Sequence, residues 1–425
     1  MKNILYLIWG ENIVDYGIFE SQVFSKLTYL SGFNRHRFFV LAGIPLGKKY
    51  LTDAKAYKNK VDEIRSRFIA NNISFSHRMV FKVSPNFHAQ WWALWMLHLP
   101  HLLYLRRYIK KQRVHVLHCR SYHAALLGVL TRKIFRMNYK IVFDTRGLVP
   151  EEGVLIGAYR EGSLSYRLWK CVEKRLFDEA DAIVNVSDTF SAHVREISAN
   201  SNVYTIYTGV DSRIFVKDSG KRNEANRILG IDEKVKVLVY SGSLGEKGWH
   251  SPELLANVYV SFKECFSKTK LLIISRSDPH VIAERLERRG LDRDDYVIVP
   301  GNSLQEVNFF LQRGDYAAFP YREISGKVEK AISRSVMAIK TGEYLACGLP
   351  LIVNGNVGGA SAIVEKYGAG VVFDPENVSG IKDGIRSIDE RYVQVSERCR
   401  AVAVDCFDYE KNAQKYMAIY DALFT

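Results

Sequence analysis

A chain of 425 residues is too long for one compact core and suits two domains with a short appendage. Its hydrophobic content of 47% and charged content of 25% are ordinary for a soluble globular protein, and no low-complexity tract or short-period repeat points to a fibrous or disordered chain. The net charge of +14 is unevenly held: residues 1–215 carry 31 Lys and Arg against 17 Asp and Glu, whereas residues 216–425 carry 29 of each. A one-sided basic surface asks for an anionic partner. With no helix-turn-helix, zinc-finger, RRM or KH signature to argue for nucleic acid, an anionic membrane, a lipid diphosphate or a plain solvated surface remains. Six cysteines, at 119, 171, 265, 347, 399 and 406, are scattered without a C-x-x-C pair. They argue against a disulfide frame or zinc site and read as the reduced core cysteines of a cytoplasmic protein.

In chain order, the N-terminal apolar run is too short for a signal peptide and reads as a first strand at 4–7. Short apolar or β-branched runs follow at 38–41, 77–83, 114–119, 141–144, 182–186 and 203–206, separated by longer helical or loop segments. That rhythm predicts a mostly parallel sheet of βα units, whose ligands collect at the carboxyl ends of the strands. Trp9-Gly10, Asp15-Tyr-Gly17, His118-Cys-Arg120 and Asp144-Thr-Arg-Gly147 all fall at such ends and are expected to share one crevice edge. Residues 87–113 break the rhythm. They are rich in Trp and apolar side chains and then strongly basic, and two histidines and Pro100 interrupt a run already short of the ~20 residues a spanning helix needs. The segment reads in one of two ways. In the first it lies in a membrane interface, with Trp91, Trp92 and Trp95 at headgroup depth and Arg106, Arg107, Lys110, Lys111 and Arg113 on anionic phosphates. In the second it is a core helix followed by a basic exposed turn.

Residues 209–234 lose apolar periodicity, as a linker would, and the pattern restarts at 235–240, 271–274, 296–299, 316–319, 351–353 and 371–373. The expected division is a first domain at 1–215, a second at 216–395 and a helical segment at 396–425. The first strand of the second domain runs into Tyr240-Ser-Gly-Ser-Leu-Gly-Glu-Lys-Gly248. In such a turn backbone amides approach phosphate, and Lys247 adds a compact positive charge. Asp292-Arg-Asp294 spells D-x-D, but it stands in a solvated turn ahead of a strand and is read as a decoy; no H-E-x-x-H, G-x-S-x-G or P-loop is present. The stretch from Lys340 to Asn354 is the most sharply punctuated. Thr341 is expected to cap a short helix, Gly348 to end it and Pro350 to prevent its continuation before Leu351 opens a buried strand. Glu343 would then lie in the first turn, where a carboxylate can accept both hydroxyls of a ribose, with Lys340 facing a phosphate. Taken alone, Glu343 is equally well a favourable first-turn charge.

The arrangement from Lys340 through Asn354-Gly-Asn-Val-Gly-Gly359 to the strand at 371–373 resembles the C-terminal half of the GT-B glycosyltransferases of family 4, the group 1 transferases. In that family an E-x-x-A-x-G-x-P segment binds the ribose and phosphates of a nucleotide-sugar donor, and Glu343, Ala346, Gly348 and Pro350 fit it in place. Two departures stand out. Ser243 replaces an arginine that contacts the diphosphate, leaving Arg276 and Lys340 as alternative cations. Ser335 replaces the first glutamate of E-x7-E, which leaves donor-sugar contacts to Ser333, Ser335 or the backbone. In the first half, Gly17 stands for the family's glycine-rich loop. His118 matches the first histidine of its H-x-H, though by itself it reads equally as a satisfied strand histidine; Arg120 replaces the second, and Arg146 stands where a histidine is common. Two arginines on one crevice suit an anionic acceptor or a departing diphosphate.

The resemblance implies an α/β protein of two Rossmann-like βα domains facing a central cleft, with the C-terminal helix at 408–424 crossing back to the first domain. It implies transfer from a nucleotide-sugar, a UDP-sugar foremost, to an acceptor hydroxyl with retention of configuration, with no cofactor and no metal. No pair of carboxylates spaced for double displacement is evident, so front-face departure and attack is the expected mechanism. The donor-side residues would be Gly17, Gly242, Ser243, Lys247, Gly301, Ser335, Lys340 and Glu343. The acceptor-side residues would be His118, Arg120 and Arg146. The basic first half adds a lipid-linked acceptor of envelope polysaccharide assembly and a peripheral position on the inner face of the membrane. The departures at 243 and 335 keep open a non-catalytic relative that binds a nucleotide or a membrane, and a nucleotide-sugar epimerase of the same fold remains a third reading.

Overall fold

Each apolar run read from the sequence overlaps a parallel strand in the computed structural model, which describes residues 1–14, 19–46, 53–80, 90–244, 249–322, 324, 326–375 and 380–425, without the side chains of 91–93 and 95–97. The first seven strands are Asn3–Trp9 (β1), Arg37–Pro45 (β2), Ser74–Val80 (β3), Val116–Arg120 (β4), Lys140–Asp144 (β5), Ala182–Asn185 (β6) and Val203–Thr205 (β7). They form one sheet in the order β3-β2-β1-β4-β5-β6-β7. The other six are Lys236–Ser241 (β8), Thr269–Ile274 (β9), Tyr296–Val299 (β10), Tyr316–Phe319 (β11), Leu351–Asn354 (β12) and Gly370–Phe373 (β13), in the order β10-β9-β8-β11-β12-β13. Helices cover both faces of such sheets, so central strands are buried throughout, as β4 and β12 are along their whole length. That is why they read as continuous apolar runs.

The helices that bear on function are Ser25–Gly32 (α1), Trp91–Lys111 (α2), Ser121–Ile134 (α3), Val149–Leu155 (α4), Asp188–Ile197 (α5), Lys327–Ser335 (α6), Ile339–Ala346 (α7), Tyr392–Val402 (α8) and Tyr409–Ala422 (α9). The chain divides into two compact units. Unit 1 comprises Met1–Tyr207, Gly326–Ser335 and Tyr409–Thr425; unit 2 comprises Thr208–Ser325 and Val336–Asp408. These limits depart from those drawn on the sequence. Residues 396–408 go with unit 2 because Ser396 on α8 donates to the carbonyl of Gly348 at 2.7 Å and accepts from Lys217 at 3.0 Å. Residues 326–335 go with unit 1. There α6 buries Ile332, and its C-terminal carbonyl, on Arg334, accepts from the Thr189 hydroxyl at 2.7 Å while the Arg334 guanidinium pairs with Glu196 at 2.9 Å. Helix α9 packs on α1 in unit 1. Its buried residues Tyr409, Asn412, Ala413, Tyr416, Met417 and Tyr420 recur at helical spacing, and the Tyr409 hydroxyl donates to the carbonyl of Ser21 at 2.6 Å.

Candidate functional site

In an open parallel sheet, a crevice opens where neighbouring strands send their connections to opposite sides. In unit 2 that point lies between β8 and β11. Directly after β8 stands Gly242, at a φ of +144°, which side-chain-bearing residues rarely adopt. A Cβ there would come within 2.4 Å of the Lys340 Nζ and 3.0 Å of the Tyr240 hydroxyl, so the ammonium packs directly against this bare backbone. The next residue, Ser243, contacts the Ser277 hydroxyl at 3.1 Å, and Ser277 also accepts from the N–H of Leu244 at 3.2 Å. Gly301, after β10, is tight as well, with Ile274 Cγ2 at 2.9 Å from the place of a Cβ.

Helix α7 supplies Lys340 and Glu343, but not as its sequence predicts. It starts at Ile339 behind Ala338, which offers no side-chain cap, so Thr341 is an interior residue, fully buried with its Oγ1 unpartnered, and Glu343 lies beyond the first turn. The cause is tertiary: Met337 is buried and the carbonyl of Val336 accepts from the N–H of Gly359 at 3.1 Å, which fixes the approach and starts the helix early. The end is as expected. Gly348 takes a φ of +73°, Pro350 follows, and β12 begins at Leu351. Tyr344 moors the helix to the end of β8, its hydroxyl accepting from the N–H of Ser241 at 2.6 Å.

Electrostatics sharpen this corner. Burial pushes the Glu343 carboxyl up to about 7, against the pull of Lys340, and burial likewise lowers the Lys340 ammonium, against the pull of Glu343. Two residues that sequence reasoning missed brace the pair. The Tyr240 hydroxyl donates to the carbonyl of Ser243 at 3.0 Å and pairs with His250 Nδ1 at 2.5 Å. Burial, with Lys340 adding to it, drives His250 down to about 3, so its ring stays neutral beside the ammonium. Nearby, Asn354 at the end of β12 donates to the carbonyl of Tyr321 at 2.6 Å while its Oδ1 is buried without a partner. No sequence motif marks Tyr240 or His250 as belonging with Glu343, whereas Asn354 closes the same stretch.

The remaining donor-side residues are placed differently. Gly17 and Lys247 lie outside the described residues. Ser335 belongs to unit 1, its hydroxyl donating to the carbonyl of Ile332 within α6, and the Ser333 hydroxyl is engaged in the same way with Lys330. Asp292 caps the short turn Arg293–Asp295, its N–H bonded to the Asp295 carboxylate at 3.0 Å. Among the described residues no group of three or more His, Cys, Asp or Glu stands ready to hold a metal ion.

In unit 1 the corresponding crevice lies between β1 and β4. His118, Arg120 and Arg146 gather there with Lys26 and Asp144, but His118 does not face solvent. Its Nδ1 pairs with the Tyr420 hydroxyl of α9 at 2.7 Å and its Nε2 faces Asp144 Oδ2 at 3.4 Å, with no exposed surface. An imidazole so enclosed is a strut under the crevice floor. Burial pushes it down to about 4, against its hydrogen bond to Asp144. Asp144 also accepts from Lys26 at 3.0 Å and Arg146 at 3.3 Å; these cations outweigh burial and hold its carboxyl well below the ordinary range. Arg120 donates to Glu11 at 2.7 Å and Gln22 at 2.9 Å.

The Trp-rich segment is largely helix α2, which spans 21 residues with Pro100 inside. Leu94, His98, His101, Leu102, Leu105 and Ile109 are buried, with α2 packed against α3. Leu99 and Leu103, one turn apart, are about half exposed, and Arg107, Lys110 and Lys111 continue the exposed surface. No described helix is long and apolar enough to cross a membrane.

No curated protein matches this sequence. Among solved structures, the chain is similar to a glycosyltransferase from Rickettsia africae (15% identity, TM-score 0.70, 100% of this chain and 99% of that one). It is similar to Anabaena HepE in complex with UDP (13%, TM-score 0.68, 99% and 100%). WaaG, a glycosyltransferase involved in lipopolysaccharide biosynthesis, is a further match (13%, TM-score 0.60, 99% and 99%). These likenesses establish the GT-B fold. Residues 66–213 match the model of Glycosyltransferase Family 4 and residues 235–390 that of Glycosyl transferases group 1. With most of its length covered by these two matches, the chain belongs to the group 1 glycosyltransferases of family 4, enzymes that transfer a sugar from a nucleotide-sugar donor.

Proposed function

We propose that this protein is a metal-independent, retaining glycosyltransferase that moves a sugar from a UDP-sugar to a hydroxyl of a lipid-linked intermediate in envelope polysaccharide assembly. The observation that carries the donor half of this reading is the Lys340 ammonium packed over Gly242 at the β8/β11 crevice, with Glu343 one helical turn along. Gly242 leaves its backbone open to a diphosphate, and Lys340 neutralises the charge that grows on the leaving group. Glu343 accepts from the ribose hydroxyls, and those hydrogen bonds favour its ionised form, replacing the water that burial has removed. Tyr240 and neutral His250 hold the turn on which the phosphates rest. Support for UDP comes from HepE, solved with UDP and with UDP-glucose. The tie to envelope polysaccharide comes from WaaG.

Thermal stability of the purified protein against nucleoside diphosphates and nucleotide-sugars, without added metal, tests the donor. A ligand of the folded state at a hundred times its dissociation constant stabilises by about 2.7 kcal/mol. The expected result is a shift for UDP and UDP-sugars that disappears in Glu343→Ala, together with a loss of turnover on the order of a hundredfold. No shift with any nucleotide sinks the donor assignment and favours the non-catalytic relative, a reading to which the internally bonded Ser335 hydroxyl lends itself. Product formed without acceptor marks an epimerase instead.

The membrane half of the reading rests on α2, whose exposed Leu99 and Leu103 lead into Arg107, Lys110 and Lys111. Apolar side chains beside a basic run dock on the anionic inner face of the cell membrane without crossing it. Sedimentation with anionic liposomes at low salt is expected, weakened when both leucines become Gln. Failure of the parent protein to sediment rules the docking out.

A further inference from the structure

We propose that unit 1 holds a phosphoryl-binding site of its own at the β1/β4 crevice, formed by Arg120, Arg146 and the start of α3, and that this site takes a phosphoryl group borne by the acceptor. The inference rests on the acceptor-side reading of these arginines and specifies what they bind.

Three independent features meet there. The first is an orphaned donor. Arg120 is about 95% buried; its Nε and Nη2 bond to Glu11 and Gln22, while Nη1 is enclosed with no partner among the described residues. A guanidinium presents its donors as a rigid fork, and a phosphoryl oxygen is the acceptor that fork fits. The second is backbone strain. β1, β4 and β5 are sheet neighbours, and just past their ends the chain turns through left-handed residues: Gly10 at φ +73°, Ser121 at +65° and Arg146 at +64°. Glycine adopts this freely, but serine and arginine do so at a cost, and such residues cluster where a site imposes its geometry. At Ser121 the strained residue is the first of α3, a helix of 14 residues that starts directly after β4 and whose N-terminus has no side-chain cap.

The third feature is charge. Among the described residues, Lys26, Arg120 and Arg146 stand against the carboxylates of Glu11 and Asp144, with His118 enclosed beside them. Among the described residues that is one positive charge more than the carboxylates balance, in a largely buried place, and a bound oxyanion supplies the balance. Asp144 draws Arg146 and Lys26 to one carboxylate, which fixes where the Arg146 guanidinium sits. The donor's diphosphate has its own cation in unit 2, Lys340, so a second nest at the switch point of the other sheet points to a second anionic ligand.

The test uses inorganic phosphate as probe on the intact protein, at constant ionic strength, reading thermal stability with and without saturating UDP. Phosphate is expected to stabilise the protein, to go on doing so when UDP already fills the donor site, and to lose at least tenfold in apparent affinity in Arg120→Gln and in Arg146→Gln. UDP affinity in both variants should stay within twofold of the parent. Arg120→Lys, which keeps the charge beside Glu11, serves as the folded comparison if Arg120→Gln is unstable, and Arg146→Gln reads the site independently. Phosphate stabilisation abolished by UDP, unchanged in both Gln variants, or lost in step with UDP affinity would each overturn the proposal. A phosphate shift in a protein that ignores every nucleotide leaves this site standing while the donor assignment falls.

Discussion

The two sheets of this protein reach the same topological device, a crevice at a switch point, and furnish it in opposite ways. In unit 2 the furniture is sparse: Lys340 and Glu343 sit on one helix, where burial drives each toward its neutral form against the pull of the other's charge, beside a glycine that exposes its backbone. In unit 1 it is dense: Asp144 alone gathers Lys26, His118 and Arg146, and Tyr420 reaches in from the far end of the chain to hold His118. On the proposed function, the unit 2 groups meet a ribose diphosphate and the unit 1 crevice meets the acceptor, over a floor that a charge network holds rigid.

Gly242→Ala bears hardest on that contrast. The new methyl group would stand 2.4 Å from Lys340 Nζ and 2.5 Å from its Cε, well inside van der Waals contact, so the ammonium must swing away from the turn, and the φ of +144° strains any residue other than glycine. UDP affinity should fall on the order of ten- to a hundredfold, as expected when a charged hydrogen-bonding group is displaced from its partner, while phosphate binding in unit 1 persists. Loss of both would mean that the two crevices are not independent.

The pH dependence of stability separates the units by sign. Glu343 titrates higher when folded, at about 7, than the usual 4.5, so its contribution is intact below the unfolded value and is lost as pH rises through 7. His118 titrates lower when folded, at about 4 rather than 6.5, so its contribution holds above 6.5 and is lost as pH falls toward 4. Denaturant unfolding from pH 4 to 8 should show Glu343→Gln gaining on the parent at the alkaline end and His118→Gln gaining at the acid end, each by on the order of 2–3 kcal/mol. The same sign in both variants would refute the assignment of either group. The smallest effect is expected from Tyr420→Phe, which leaves a buried imidazole nitrogen without its partner and should cost about 1–2 kcal/mol with UDP affinity unchanged.

Much of this was legible in the residues. Strands buried on both faces announce themselves as short apolar runs, and the spacing of Glu343, Ala346, Gly348 and Pro350 is local enough to survive in the sequence. What was illegible depends on partners far away. Thr341 reads as a cap because nothing nearby reveals that Val336 is held by Gly359. His118 reads equally as an acceptor-side ligand or a satisfied strand histidine, because Tyr420, 302 residues on, gives no sign of covering it. Tyr240 and His250 are ten residues apart, yet nothing in their spacing tells a reader that one hydroxyl joins them.

Helix α6 has a practical consequence for anyone who would re-engineer this enzyme. It lies between two strands of unit 2 in sequence but folds with unit 1, so the chain changes unit after 207, 325, 335 and 408. Neither half is therefore a portable module. A chimera that borrows a relative's donor specificity by a single splice near 215 would graft a foreign α6 onto the native Thr189 and Glu196, and would also replace the tyrosines that close over His118. Graft junctions should instead be cut at all four crossings, with α6 and α9 kept from the parent that supplies residues 1–207.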